Sequence, residues 1–238
     1  MPGAIENKTI GAIVAADFRA AQIFAKYGID FCCGGQLTLA AVCSEKGLNL
    51  LTLTKELEAV QSAPADRSQN YASWSLPFLA DYIVNTHHTY LKENDDQIAA
   101  YAQKIASVHG KNHPELLEIA ALFDHIATAM TAHLQEEEEI FFPALKRAND
   151  AKIDGRVADP KDQATIRGSL LKLHREHEVI GDAVHKIHHL ATGYTMPADA
   201  CNTFMVTYQK LKEFEDDLHK HVHLENNILF PKATGLLT

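Results

Sequence analysis

Hydrophobic positions along the chain follow a helical period almost throughout. Apolar residues recur at alternating steps of three and four, and no stretch keeps the two-residue alternation of a β-strand. Four long segments show this period: about Ser75 to His109, Pro114 to about Ala148, Pro160 to about Thr192, and about Pro197 to Ala233. The connections between them are short or moderate. The pattern therefore predicts an all-α protein whose main part is an up-down-up-down four-helix bundle.

A small helical domain is predicted ahead of the bundle. The stretch from Ser62 to Trp74 is polar, contains Pro64 and breaks the helical period. It predicts a linker over residues 63–74, between an N-terminal domain of residues 1–62 and a bundle domain of residues 75–238. A domain of about 60 residues buries little core, so we expect it to lean on the bundle or on a second subunit in a homodimer.

Inside the N-terminal domain, capping residues mark two short helices. Asp17 is placed to cap a helix that stops at Gly28, and Thr38 is placed to cap one that stops at Gly47. Asp159 is the predicted N-cap of the third long helix.

Charge and cysteine content indicate which kinds of binding partner the protein lacks and in which cellular compartment it works. The formal net charge is −9, with 31 acidic and 22 basic residues, so the basic footprint of a nucleic-acid-binding protein is missing. Acidic surfaces also match anionic lipid poorly, and no apolar run approaches the roughly 20 residues of a membrane span. Two of the four cysteines are adjacent, which is unlike a secreted disulfide framework. We expect a cytoplasmic protein with reduced thiols and neither a nucleic-acid nor a membrane partner.

An internal repeat carries the candidate chemistry. The pattern H-x3-E-x2-I-x-F-P occurs at His133 and again at His221, 88 residues apart. His88 and His177 precede the two copies and lie 89 residues apart. The bundle therefore reads as a duplicated helical hairpin, in which each copy offers one histidine on one helix and an H-x3-E pair on the next.

The repeat places glutamates on the buried stripes of the second and fourth long helices. Glu137 and Glu225 each lie one turn after a histidine, on the same helix face. An ionised, unpaired glutamate costs several kcal/mol to bury, and the four stripes contain no lysine or arginine. Hydrogen-bonded Glu–His pairs are one explanation, and metal cations balance the charge better. The predicted ligands are the terminal histidines and bridging glutamates His88, His133, His177, His221, Glu137 and Glu225.

The donor set indicates the metal. Imidazole and carboxylate without sulfur favour non-haem iron, with manganese or zinc as alternatives, and six ligands overfill one four-coordinate site. Two iron ions are expected, bridged by carboxylate and, when oxidised, by oxo or hydroxo. His88 is preferred to His87 because only His88 continues the apolar stripe.

Several neighbours of these ligands receive secondary interpretations. His109 and Glu176 are candidates for an outer shell, Glu176 because it flanks His177 and could orient it. Most of the remaining histidines, including His219 and His223, are interpreted as surface or flanking residues. Pro143 and Pro231 are expected to kink or end their helices one turn past the metal.

The adjacent Cys32 and Cys33 lie in a glycine-rich turn and leave two interpretations open. They are structural, or they take a redox or transfer role that needs an accessible thiolate. Adjacent thiols alone chelate one metal poorly. Cys43 and Cys201 are interpreted as packing residues.

Taken together, these motifs resemble the iron–sulfur cluster repair di-iron proteins, also called repair of iron centres (RIC) proteins. The segment Asp30 to Gly35 (DFCCGG) resembles the signature of their small N-terminal domain. The hemerythrin-like domain is matched at positions that include the predicted ligands: His88, His109, His133, Glu137, Glu176, His177, His221, Glu225, Asn226 and Asn227.

The resemblance implies a cytoplasmic, often dimeric di-iron protein, made under nitrosative and oxidative stress, that helps restore damaged iron–sulfur clusters. It leaves open whether the di-iron centre binds or reduces nitric oxide or donates iron, and so whether the protein is an enzyme. The expected partners are nitric oxide or O2 and damaged iron–sulfur proteins. Alternatives are an O2 or nitric oxide carrier or sensor without turnover, and a ferritin-like oxidase or iron store, whose sites are richer in carboxylate.

Overall fold

A computed structural model of the protein describes residues 5–62 and 70–237. Regular structure in these two ranges is helical, apart from an isolated β-bridge between Thr9 and Thr38. The predicted all-α class is therefore confirmed. Most of the predicted linker, residues 63–69, lies outside the described residues, so the proposed domain division stays a prediction.

The helices follow one another along the chain, and the connections 27–38 and 191–201 are longer than the connections 110–114 and 154–159. In chain order they are α1 Ile10–Ala16, α2 Ala20–Lys26, α3 Leu39–Lys46, α4 Leu50–Ser62, a 3-10 turn Tyr71–Ser73, α5 Leu76–Ile83, α6 Thr89–His109, α7 Glu115–Glu136, α8 Phe142–Ile153, α9 Pro160–Leu190, α10 Asn202–Leu224 and α11 Phe230–Thr234. None of the helices in the described ranges combines the length and the apolar character that crossing a membrane requires.

Three π-helical segments interrupt the long helices that the sequence predicts as continuous. They are Val84–His88, Glu137–Phe141 and Glu225–Leu229. A π-helical turn inserts one extra residue into the helix, and such turns are frequent at functional sites. Each of the three begins or ends on a predicted metal ligand, and the second and third occupy the same place in the two copies of the repeat.

The chain divides into two compact units, with the boundary inside α10. One unit comprises Met1–Leu79 and His219–Thr238, and the other comprises Ala80–Leu218. In the second unit, α7 packs against both α6 and α9. Phe123 of α7 meets Phe214 of α10 edge-on, with ring centroids 4.9 Å apart. These four helices form the core of the predicted bundle.

Caps in the first unit follow the sequence in part. Thr38 accepts a hydrogen bond from the first turn of α3, and Gly47 ends that helix with φ +64°, a conformation that favours glycine. Both predictions are confirmed. The prediction of a cap at Asp17 is wrong, because α2 begins at Ala20 with Arg19 as its N-cap. Asp17 lies two residues before that cap and accepts from the N–H of Arg19 at 3.1 Å. Asp159 caps α9 as expected, accepting from the N–H of Lys161 at 2.8 Å.

Neither Pro143 nor Pro231 ends the helical course, so of the predicted kink or end only the kink stays a prediction. A π-helical segment precedes each proline, which then lies in the first turn of α8 or α11, where a missing N–H is tolerated. The extra residue also shifts the phase of the apolar stripe. Ile140, the isoleucine of the first H-x3-E-x2-I-x-F-P copy, would continue the buried stripe of His133 and Glu137 in an uninterrupted helix. It is 46% exposed, and Phe141 is fully buried in its place.

Candidate metal centre

The candidate metal centre in the second unit is built around the carboxylate of Glu137. Glu137 opens the second π-helical segment and is fully buried. Its Oε2 lies 3.3 Å from Nε2 of His88 and 3.5 Å from Nε2 of His133. Nε2 of His177 lies 3.2 Å from Nε2 of His133. Four predicted ligands from three stretches of the bundle are therefore brought together.

The outer nitrogens of two of these histidines are held by further carboxylates. His88 Nδ1 lies 2.7 Å from Glu138 Oε1, and His133 Nδ1 lies 2.9 Å from Glu176 Oε2. An ionised carboxylate only accepts hydrogen bonds, so Nδ1 carries the proton and Nε2 keeps its lone pair. Both rings thus direct lone pairs toward Glu137, which is how metal-binding histidines are oriented in proteins.

Both orienting carboxylates are anionic at neutral pH. The hydrogen bond from His133 lowers the pKa of Glu176. Burial opposes ionisation of Glu138, but hydrogen bonds from Lys92 and His88 outweigh it and leave the pKa of Glu138 lowered. Lys92 Nζ lies 2.6 Å from Glu138 Oε1. Glu138 and Glu176 are therefore both charged, as protonation of His88 and His133 on Nδ1 requires.

The spacing of the inner donors fits a metal ion. One donor atom from each of His133, Glu137 and His177 lies within 4.8 Å of the others. Two ring nitrogens 3.2 Å apart beside a carboxylate need a proton or a cation between them. Ligands about 2.1 Å from one metal ion lie roughly 3.0–3.4 Å apart in octahedral or tetrahedral geometry. The donor set is therefore compatible with a bound metal.

Two predictions about neighbouring residues are corrected. Glu176 of α9 orients His133 of α7 rather than His177, its neighbour in the sequence. His109 lies 21 residues after His88, about 30 Å along α6. Its Nε2 is 3.2 Å from Sγ of Cys201, so it does not belong to the outer shell of this site.

Two residues near the centre have positions that were not predicted from the sequence. Glu138, which holds His88, follows Glu137 in an acidic run, and no sequence signal distinguishes it from its neighbours Glu136 and Glu139. His87 is buried like His88, but its Nδ1 lies 2.9 Å from Asp217 Oδ1. The π-helical turn that ends at His88 allows both adjacent histidines to be buried, so the apolar stripe alone is a poor guide here.

The second H-x3-E motif lies in the first unit and repeats the local geometry. His221 and Glu225 are fully buried, and His221 Nε2 lies 3.0 Å from Glu225 Oε1. His223, interpreted from the sequence as a surface or flanking residue, is also fully buried, so that interpretation is wrong. Its ring packs on Phe18 and Phe31, with centroids 5.6 and 6.1 Å away, and burial lowers its pKa to about 3.

The cysteine turn belongs to the same unit. Cys32 is buried and Cys33 is half-buried, with 4.0 Å between their sulfur atoms. Contact with the Cys33 thiol, together with burial, raises the pKa of Cys32 well above its ordinary value. Cys32 is therefore a protonated thiol at neutral pH, which disfavours a role as a free thiolate nucleophile.

Comparison with known proteins defines the class first. Residues 79–233 match the family model of the hemerythrin HHE cation-binding domain, and residues 6–61 match the ScdA_N model, described as a domain of unknown function (DUF542). The chain is thus a hemerythrin-type cation-binding protein, and the segment before this domain matches a second, separate domain family.

Full-length relatives sharpen this assignment. The chain is 32% identical to the iron-sulfur cluster repair protein ScdA of Staphylococcus epidermidis, over 97% of this chain and 100% of that protein. It is 30% identical to the iron-sulfur cluster repair protein YtfE of Yersinia pestis, over 95% of this chain and 96% of that protein. The chain belongs to the family of iron–sulfur cluster repair proteins, and the resemblance seen in its sequence is confirmed.

Proposed function

We propose that this protein binds two iron ions and uses them in the repair of damaged iron–sulfur clusters. One observation carries the metal part of the proposal. The carboxylate of Glu137 is buried between the Nε2 atoms of His88 and His133, whose outer nitrogens are held by carboxylates. Burying that charge without a cation costs several kcal/mol.

The six proposed ligands come from both copies of the repeat. Glu137 and Glu225 are proposed as the bridging carboxylates, with the four histidines His88, His133, His177 and His221 as terminal ligands. The equivalent i, i+4 geometry of the two H-x3-E pairs supports this set. So does the family match, because residues 79–233 include all six positions. When bound, iron would supply redox chemistry and open positions for a diatomic ligand such as nitric oxide or O2.

The repair role is proposed from the relatives, which are named for it. In this proposal the protein acts in the cytoplasm under nitrosative and oxidative stress, with damaged iron–sulfur proteins as partners and a homodimer as the working form. The iron centre binds or reduces nitric oxide, donates iron, or does both. The residues that hold the iron are the same for each of these roles. An experiment on the function is therefore needed to distinguish iron donation from nitric oxide binding or reduction.

Metal content and Mössbauer spectra of the anaerobically purified full chain test the site. We expect about two irons per chain with coupled spectra that change when nitric oxide is added. Glu137→Ala and Glu225→Ala lose most of this iron while the helical circular dichroism stays. Glu139→Ala is the matched control, because Glu139 is exposed in the same acidic run. Zinc, a single uncoupled iron, or two irons retained in the double glutamate variant would contradict the ligand set.

A reconstituted repair assay tests the role. The chain is loaded with 57Fe and mixed with an iron–sulfur enzyme that nitric oxide has inactivated. Recovered activity with 57Fe in the repaired cluster indicates iron donation, whereas recovery without the label and with nitrous oxide release indicates reduction of nitric oxide. Reversible ligand binding with no recovery would instead favour a carrier or sensor.

The double-cysteine turn distinguishes the repair proposal further. Replacing Cys32 and Cys33 by serine should leave the iron of the bundle in place and impair repair. Cys43→Ser is the control, because Cys43 is a buried cysteine of α3 in the same unit. Unchanged repair in the Cys32/Cys33 variant would make the pair structural.

A further inference from the structure

The turn after α2 gathers three metal-binding groups around one carboxylate. Asp30 Oδ1 accepts hydrogen bonds from the backbone N–H groups of Cys32 at 2.8 Å and Cys33 at 3.1 Å. Asp30 Oδ2 accepts from the N–H of Gly34 at 2.9 Å. These bonds fix the carboxylate inside the turn, with its charge stabilised by backbone dipoles.

Both thiols of the turn lie close to this fixed carboxylate. Cys32 Sγ is 3.1 Å from Asp30 Oδ1 and 4.0 Å from Cys33 Sγ. One donor atom from each of the three residues lies within 4.8 Å of the others. Asp30 therefore supplies the third donor that the pair of adjacent cysteines lacks on its own.

The 4.0 Å between the two sulfurs is close to the donor spacing around a tetrahedral ion, and the 3.1 Å between Cys32 Sγ and Asp30 Oδ1 is a few tenths of an ångström shorter than that spacing. Metal–sulfur bonds of about 2.3 Å place two sulfur ligands roughly 3.8 Å apart, and a carboxylate oxygen about 2.0 Å from the metal lies roughly 3.5 Å from each sulfur. A thiol donating to the carboxylate would account for the Cys32–Asp30 distance alone. The second sulfur lies 4.0 Å from the first, which is within hydrogen-bond reach of a thiol and is also close to the spacing of two sulfur ligands on one metal ion.

The turn is also held in place by the segment that carries the second H-x3-E motif. Asn227 Nδ2 donates to the backbone carbonyl of Phe31 at 3.1 Å, and Asn226 Nδ2 donates to that of Cys32 at 3.4 Å. On its other side, the carbonyl of Gly35 accepts from the N–H of Gly11 at 2.8 Å. Because its backbone is fixed at three points, the turn need not be ordered by the ion, which favours binding.

We propose that Asp30, Cys32 and Cys33 form a mononuclear site for a thiophilic divalent cation of the Fe2+ or Zn2+ class. Two sulfurs and one carboxylate select against Mg2+ and Ca2+, which prefer oxygen donors. Three protein donors leave one position open, as in sites that bind an exogenous ligand and unlike closed structural zinc sites. The donor set shares no residue with the histidine–glutamate set, so this site stands independently of the proposed di-iron centre.

Cobalt titration of the full chain, purified anaerobically with its own metal, tests the site. The thiolate-to-cobalt absorption band in the near ultraviolet reports sulfur ligation, which histidine and glutamate ligands cannot produce. We expect the band to saturate at one equivalent, to disappear in Cys32→Ser and in Cys33→Ser, and to need at least tenfold more cobalt in Asp30→Asn. Asparagine can still accept from the N–H groups of Cys32 and Cys33 through its one oxygen and loses the acceptor for Gly34, so that variant changes the metal donor and keeps two of the three backbone hydrogen bonds.

Two controls separate this site from the other thiols. Cys43→Ser and Cys201→Ser should each keep the full band. Absence of the band in the unmodified chain, its retention in both cysteine variants of the turn, or its loss in Cys201→Ser would overturn the proposal.

A measurement on the unmodified chain covers the case in which a variant fails to fold. One equivalent of Zn2+ should slow alkylation of Cys32 and Cys33 at least tenfold, as read by mass spectrometry of the digested protein, and leave Cys201 unchanged. Equal alkylation with and without Zn2+ would likewise overturn the proposal.

Discussion

Glu176 is the sequence neighbour of His177, yet its Oε2 lies 2.9 Å from Nδ1 of His133 on another helix. Consecutive residues of a helix point about 100° apart, so His177 turns toward the buried carboxylate while Glu176 reaches across to α7. A single dipeptide of α9 thus provides one ring of the candidate centre and orients another. Loss of Glu176 should therefore act through His133.

Glu176→Gln is expected to weaken metal binding without changing the fold. Glutamine can still accept a hydrogen bond, but it lacks the charge that keeps the proton on Nδ1 of His133. Removal of such an orienting partner typically costs 10- to 100-fold in metal affinity. Competition with a chelator measures this loss on the loaded chain.

The control for this prediction is Glu178→Gln, which changes an exposed glutamate of the same helix. Glu138→Gln should resemble Glu176→Gln, because Glu138 holds His88 in the same way at 2.7 Å. Equal affinity in the Glu176 and Glu178 variants would show that the contact with His133 has no role in metal binding.

The sequence predicts the inner groups of the site better than their supports. His133 and Glu137 interrupt an apolar stripe with a helical period, which is a local signal, and the repeat marks His221 and Glu225 by the same rule. The partner of Glu176 depends on how two helices pack, which a one-helix pattern does not contain. The π-helical segments are invisible for a similar reason, since they arise where tertiary packing displaces one residue. The error at Ile140 follows directly from the second of them.

Because of Asp95, the stability of the protein should fall as the pH rises from about 4 to about 7. Its Oδ1 is buried without a hydrogen-bond partner in the described part of the chain. Burial, with a smaller contribution from Asp96, raises its pKa from 3.8 to about 7. The unfolded chain ionises near pH 4 and the folded chain only near pH 7, so the unfolded state is increasingly favoured as pH rises through this window.

Asp95→Asn removes this penalty and is expected to be more stable than the parent by up to about 4 kcal/mol at pH 8, the full value of a pKa shift from 3.8 to about 7. The difference should vanish near pH 4, where both folded proteins carry a neutral side chain. Urea unfolding of parent and variant at each pH measures it, and effects common to both chains cancel. Asp96→Asn, at an exposed neighbour, should change stability by less than about 0.5 kcal/mol. A difference that does not vary with pH would contradict the buried ionisation.

Close packing of Gly11 against Asn227 predicts a strong interaction between these two positions. A Cβ on Gly11 would overlap Oδ1 of Asn227 and lie 3.1 Å from the carbonyl oxygen of Gly35. Gly11→Ala should therefore cost about 1–3 kcal/mol. Asn227→Ala removes the amide that the added methyl meets, so the double variant should lose less stability than the sum of the two single ones.

The comparison for this cycle is Gly168→Ala on α9, where nothing lies within 4 Å of the added Cβ. A helix interior is about 0.5–1 kcal/mol more stable with alanine than with glycine, so Gly168→Ala should raise the free energy of unfolding. Chemical denaturation of the parent, the two single variants and the double variant gives the interaction energy between positions 11 and 227. Additive costs at Gly11 and Asn227 would mean that the turn carrying Cys32 moves aside to admit the methyl group.

Cys201 should be the most reactive thiol of the chain at neutral pH. It is exposed at the start of α10 rather than packed, contrary to its interpretation from the sequence. The N–H of Phe204, followed by the ring of His109 with Nε2 3.2 Å from Sγ, lowers its pKa to about 7. About half of the Cys201 side chain is then thiolate at pH 7, against a few per cent of an ordinary thiol.

We expect iodoacetamide to alkylate Cys201 about five- to tenfold faster than Cys33, with a rate midpoint near pH 7. His109→Ala should move that midpoint upward, whereas His113→Ala should not, because His113 bonds Glu115 and Asp199. A midpoint that stays near pH 7 in the His109 variant would assign the lowered pKa to the helix backbone alone.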